Sequence, residues 1–412
     1  MIFLLTAPGT SVEEGGRKVM NLTIAWLAQG KIRVKCGGGP PRTVESRFGE
    51  SIRERAVRAQ QRHGWKTQSS ARKFLAGAML WGRAPEDPAA IRVAITSLCR
   101  GPATGQMLYS LETDDLCAVL ATEHLGAEER RLWNKNDKRI SHLTVSPAGA
   151  VAGSVRHEFG TANLAVRLDE ESGFSEVTEG DSVDTAPRWV PGAGRRVVFQ
   201  SAGVGRNRDG QFAGLAPFGI QQLDLDSGEM TPLAEDAKHD LLTPQMTGDG
   251  RLYFIRRPHA TGREVHPLRF LMDLVLFPFR LCYAIFQYLQ FFSMRYTGKK
   301  LTSADGTQSR EMDLKRMMIW GNMVSAEHAA KRSGEAPDLV PKTWQLVCKR
   351  PDGREEIVAK GVLAYDLAPG GSIVYSNGSA IFVLNPDGKT ERVMVESMIE
   401  QVVVLDAATP DA

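Results

Sequence analysis

What this chain of 412 residues lacks narrows its class first. Its five cysteines, Cys36, Cys99, Cys117, Cys282 and Cys348, are odd in number and scattered, with no Cys-x-x-Cys pair. That argues against a disulfide framework or a thiolate zinc site and points to reduced thiols in a cytoplasm. The eight histidines show neither His-x-His nor His-Glu-x-x-His spacing, and no Gly-x-Ser-x-Gly elbow supplies a nucleophile. His142 and His157 fall at or beside strands and read as structural. A net charge of +3 is too small for whole-molecule attraction to nucleic acid. No basic residue precedes the apolar run Ile2–Leu5, which is also too short for a signal-peptide core. Residues 1–19 therefore read as an unstructured extension, with Met1 and Met20 the alternative starts.

What is present is repetition. Residues 24–44 and 373–393 each read as a short apolar strand, a Gly turn, an alternating strand, and a turn into a third strand. A similar cassette starts near His142, turns at Ser146-Pro147-Ala148-Gly149 and continues through Val151–Val155 and Asn163–Leu168. Another runs from Asp184 through Trp189, Arg196–Ser201 and Ile220–Leu225 to the turn at Asp226-Ser227-Gly228. A third begins at Asp240, turns at Gly248-Asp249-Gly250, and resumes only at Trp344–Lys349. Gly accepts positive φ and Asp or Pro presets the preceding geometry, so each turn has a mechanism. Four short strands per repeat, recurring along the chain, predict an all-β propeller. The count is six blades, with seven the alternative, because residues 75–135 parse in more than one way.

Trp189-Val190-Pro191-Gly192, Leu223-Asp224-Leu225-Asp226-Ser227-Gly228-Glu229 and Ser146-Pro147-Ala148-Gly149 resemble the WD-repeat-like module of TolB-type propellers. The resemblance covers roughly residues 140–260 well and 344–405 fairly. Ala148 replaces the usual turn Asp, and Pro191-Gly192 lacks it. The resemblance implies a six-bladed ring that binds rather than catalyses. Ring closure follows from the ends: Ile399–Leu405 is a lone apolar strand, and the N-terminal cassette lacks a first strand. Pairing the two completes a blade and removes exposed sheet edges. The expected organisation is propeller over 20–261, an insertion over 262–341, propeller and closure over 342–405, and a tail over 406–412.

The insertion opens with an aromatic-rich helix over residues 266–296. Arg269, Asp273, Arg280 and Gln287 share one narrow stripe, which leaves Phe270, Leu274, Phe277, Phe279, Tyr283, Phe286, Phe291 and Phe292 as an apolar contact face. Its longest uncharged stretch, Leu281–Met294, is shorter than the ~20 residues that span a bilayer. The face would pack on the protein, bind a protein partner, or lie on a membrane surface. A second helix is expected over Glu311–Lys331. A third, basic helix from a Ser51–Glu54 capping box to Trp65 would connect two blades.

Candidate chemistry is sparse. Arg206, Arg208, Arg256 and Arg257 form an anion site if their two loops share a face. Gly203–Gly210 is glycine-rich but lies between strands, so it reads as a long hairpin loop to about Gly219 rather than a phosphate cradle. Asp184, Asp240 and Asp366 sit at blade entries, where some six-bladed propellers hold calcium. The leading expectation is a non-catalytic protein-binding scaffold with no cofactor. The alternatives are a metal-dependent lactonase- or esterase-like hydrolase and a peripheral membrane protein.

Overall fold

The computed structural model describes residues 22–55, 57–58, 93–113, 115–123, 128–157, 160–169, 171–259, 316–319, 322–325 and 338–407. Strands β1 (Leu22–Ala28), β2 (Lys31–Cys36) and β3 (Arg42–Val44) come first, followed by a helix, α1, over residues 47–55. Blade 2 is β4 (Ala94–Arg100), β5 (Gln106–Glu112), β6 (Cys117–Glu123) and β7 (Glu129–Lys135). Blade 3 is β8 (Arg139–Val145), β9 (Val151–Arg156), β10 (Ala162–Arg167) and the short β11 (Ser175–Glu176). In blade 4, β12 (Ser182–Trp189) and β13 (Arg196–Arg206) precede β14 (Phe212–Leu215), β15 (Gly219–Asp224) and β16 (Met230–Ala234). Blade 5 starts with β17 (His239–Met246) and β18 (Leu252–Pro258). A separate hairpin of β19 (Arg316–Ile319) and β20 (Asn322–Ser325) belongs to a second compact unit, Ala260–Ser325. Blade 5 then ends with β21 (Gln345–Lys349) and β22 (Glu355–Lys360). Blade 6 is β23 (Ala364–Leu367), β24 (Ile373–Ser376), β25 (Ala380–Leu384) and β26 (Thr390–Val395).

The last strand, β27 (Ile399–Ala407), pairs antiparallel with β1 and becomes the first strand of blade 1, in the order β27-β1-β2-β3. Chain ends thus close the ring as expected. The seam is dry: Ile399, Val402, Val403, Val404 and Leu405 are all buried. Trp26 is also buried, and its Nε1 donates to Glu396 Oε2 at 2.8 Å, while Arg33 Nε lies 2.8 Å from the other Glu396 oxygen. Apolar side chains from facing sheets fill the spaces between successive blades, as with Leu27, Leu98 and Leu405 between blades 1 and 2.

First strands form the inner ring. β27, β4, β8, β12 and β17 touch in that order, Gln245 of β17 bonds to β23, and β23 touches β27. Three of these strands carry the same irregularity. In β8, β12 and β17 the pairing with the second strand skips two residues, and the first skipped residue has positive φ: His142 (52°), Ala186 (52°) and Thr243 (49°). A bulge of this kind bends the strand and frees backbone groups from the ladder.

Several expectations need correction. Helix α1 begins at residue 47, and its N-cap is Ser46, whose Oγ accepts from Gly49 N–H at 3.0 Å. Ser51 lies inside the helix and donates to Phe48 O, so the Ser51–Glu54 pattern is not the capping box. The helix expected over Glu311–Lys331 contains the β19–β20 hairpin instead. Gly321 and the β-branched residues Ile319 and Val324 weaken helix propensity there, a signal the sequence carried. The long loop after Gly203 is a hairpin arm, because β13 runs on to Arg206 and pairs with β14. The contact-face residues of 266–296, Cys282, residues 1–19 and Trp65 lie outside the described residues.

Candidate functional site

The axis of the ring is where side chains from different blades converge. Freed backbone groups on the first strands are met by polar side chains reaching from the preceding blade. Gln401 of β27 accepts from Leu98 N at 3.0 Å and donates to Leu98 O at 2.6 Å. Ser97 Oγ of β4 accepts from Leu143 N at 2.8 Å, inside the β8 bulge. Gln200 Oε1 of β13 accepts from Thr243 N at 2.7 Å, inside the β17 bulge. Gln245 donates to Tyr365 O at 3.2 Å, and Asp366 Oδ2 accepts from Val404 N at 2.8 Å. Five junctions are tied this way. At the remaining one, Ser154 stands in blade 3 where Gln200 stands in blade 4, and its shorter side chain leaves Oγ without a partner.

Arg188 occupies the first position after the β12 bulge, where blade 5 carries Gln245. It is half-buried and makes no hydrogen bond or ion pair with the described residues. Its charge nevertheless acts on Cys99 of blade 2, His142 of blade 3, and Tyr365 and Asp366 of blade 6. β12 is a strand of the inner ring and touches the first strands of both neighbouring blades, so a charge carried on it acts across the ring. Burial pushes the Cys99 thiol up to about 12 and the Tyr365 phenol well above its usual range. Burial, aided by Arg156 and Arg188, pushes His142 down to about 4, so its imidazole is neutral at pH 7. The Asp366 carboxyl is raised by burial, partly offset by Arg188, the Val404 N–H and Arg100. Arginine and glutamine inside apolar strands were the available sequence signal for this site, since buried polar side chains are the informative exceptions.

The three aspartates do not form one constellation. Asp184 lies two residues before the positive-φ residue of its strand and Asp240 three, so they point to opposite faces. Asp184 accepts from Ser201 Oγ at 2.6 Å. Asp240 is buried with Arg257, whose Nε donates to it at 2.9 Å, and with His259, whose Nδ1 lies 2.7 Å away. Its other contact is Phe218 N–H at 3.2 Å. The Arg257 guanidinium also lies over the Trp344 ring, 5.0 Å from its centroid. Among the described residues no three His, Cys, Asp or Glu side chains gather as metal ligands.

The rim holds a second feature. Strands alternate in direction, so all connections from second to third strands open on one face. In blade 4 this connection carries the arm formed by β13 and β14, and in blade 5 it is the long chain between Pro258 and Gln345. On the arm, Phe212 is 56% exposed. It leans over the equivalent turn of blade 3, where a Cβ on Gly160 would lie 3.8 Å from its ring. The two arginine-bearing connections therefore share a face, yet most of the arginines are committed. Arg206 donates to Asp181 at 2.7 Å, Arg256 lies 3.0 Å from Glu355, and Arg257 is held by Asp240. Arg208 is exposed in the turn of the arm.

No family model matches this chain, and no curated protein matches it in sequence. Solved structures do. TolB from Acinetobacter baumannii aligns over 94% of this chain and 67% of its own, with 11% identity and a TM-score of 0.50. A chain of the nidogen/laminin complex aligns over 94% of this chain and 99% of its own, with 8% identity and a TM-score of 0.48. The fold is a β-propeller of TolB-like type.

Proposed function

We propose that this protein is a non-catalytic scaffold that binds protein partners through the enlarged connections of blades 4 and 5. The observation that carries this reading is their placement. Two adjacent blades enlarge the same connection on the same face, while the other described blades keep short turns there. A ring with inter-blade ties fixes the strands from which both connections leave, so their roots cost little to order on binding. The exposed Phe212 on the arm supplies one contact, and the aromatic residues Phe270 to Phe292 of the insertion supply the rest. Cys36, Cys99, Cys117 and Cys348 are free thiols, which supports a reducing, cytoplasmic setting. Among the described residues no helix is long and apolar enough to cross a membrane.

The test compares three forms of the chain in native cells: full-length, lacking 260–325, and Phe212→Ala. Crosslinking and mass spectrometry then identify what each captures. The deletion is expected to lose the partners that full-length protein holds, with an unchanged circular dichroism spectrum for the ring. Partners retained in full by the deletion would refute the proposal. Recovery of anionic vesicles rather than protein by the full-length form alone would move the assignment to a membrane surface.

A further inference from the structure

The inner ring offers a binding site separate from the rim. Arg188 lacks the junction bond that Gln245, its counterpart in blade 5, makes to the backbone of Tyr365. The bulge that precedes it also differs: Ala186 stands where blades 3 and 5 carry the larger His142 and Thr243. Thr243 Oγ1, at the matching place in blade 5, is a buried hydroxyl without a partner. Buried polar groups are normally satisfied, and each exception calls for an explanation such as a ligand.

We propose that Arg188 is the anchor of an oxyanion site on the axis of the propeller, where a ligand's carboxylate or phosphate meets its planar fork. The charge surroundings agree. Arg100 adds a second positive charge that acts at the axis, whereas Arg156, which also acts at His142, is paired with Glu112 at 3.3 Å. Asp366 is the carboxylate whose charge acts on Cys99 and Tyr365 there, and its Oδ2 accepts from Val404 N–H at 2.8 Å rather than pairing with Arg188. Guanidinium forks bind both carboxylates and phosphates in bidentate fashion, and a site shielded by low-dielectric walls strengthens the attraction. The ligand is small or extended, since it must enter along the axis.

Two measurements on the full chain test this. The first maps phenylglyoxal modification of arginines by mass spectrometry in inorganic phosphate, acetate or chloride at equal ionic strength. Arg188 is expected to react in chloride and to slow about tenfold at an anion concentration about ten times the dissociation constant. Protection by phosphate alone identifies a phosphorylated ligand, and protection by acetate alone a carboxylated one. Equal rates in all three salts overturn the proposal. An Arg188 that is unreactive in chloride does so as well, because no ligand could then reach it. The second measurement follows the thermal midpoint in the protecting anion. The rise is expected to vanish in Arg188→Gln and to persist in Arg208→Gln, and a rise retained by Arg188→Gln overturns the site.

Discussion

His142 gives the sharpest test of the axial environment. Its ring is half-buried in the β8 bulge, with Ser141 Oγ 3.2 Å from Nδ1 and the charges of Arg156 and Arg188 acting on it. Burial and these cations lower its pKa from 6.5 to about 4. Between those values the unfolded chain takes up a proton that the folded chain refuses. Stability therefore falls as pH drops from 6.5 toward 4 and is unaffected by this group above about 7. At 1.36 kcal/mol per pKa unit the full loss is about 3 kcal/mol, of which about 2 kcal/mol has gone by pH 5. Asn is the replacement of choice, because it tolerates the positive φ of 52° and does not titrate. Urea unfolding of wild type and His142→Asn at pH 7.5 and 5.0 isolates the contribution. Wild type is expected to lose about 2 kcal/mol more than the variant over this interval. Equal losses would show that the His142 ring is solvated and that the electrostatic picture of the axis is wrong.

Two further outcomes follow from carboxylates wholly or partly withdrawn from water. Glu400 is the extra residue in the bulge where β27 meets β1, and burial raises its pKa from 4.5 to about 7. Here the folded state retains a proton the unfolded state releases, so stability falls as pH rises from 4.5 to 7. Glu400→Gln should accordingly exceed wild type by up to about 3 kcal/mol at pH 8 and match it near pH 4, as read by urea midpoints. Asp240→Asn removes the carboxylate from a buried Arg257 and should cost about 3–5 kcal/mol in denaturant unfolding. A loss under about 1 kcal/mol would mean that the pair behaves like a surface ion pair.

Local signals carried much of the architecture. Turns such as Ser146–Gly149 and Asp249–Gly250 depend on the conformational freedom of one or two residues, with Gly149 at φ 89° and Gly250 at φ 82°. Asp224 shows why the Asp-x-x-Ser-Gly pattern repeats: it accepts from the N–H groups of Asp226 and Ser227 at 3.0 and 3.3 Å, and Arg196 holds it at 2.8 Å. Ring closure was legible too, because a lone apolar strand such as Ile399–Leu405 must find a partner. The arm was less legible, since glycines at 203, 205, 210 and 214 read as loop although the backbone pairs across them. The helix start was missed because Ser46 and Ser51 both suit a cap, and only the geometry distinguishes them.

The axial site lay beyond the sequence for a different reason. Strand faces alternate every residue, so a bulge inverts every assignment beyond it. Asp184 and Asp240 looked equivalent by position and proved to face opposite ways once the bulges were placed. By itself the sequence determined the repeated four-stranded unit, its turns and the seam between the chain ends, all of which follow from local geometry and apolar patterning. Tertiary structure alone decided which polar side chains meet at the axis. Arg188, His142, Asp366 and Arg100 sit in different blades, and their proximity arises from closing the ring, a long-range condition that no local pattern encodes.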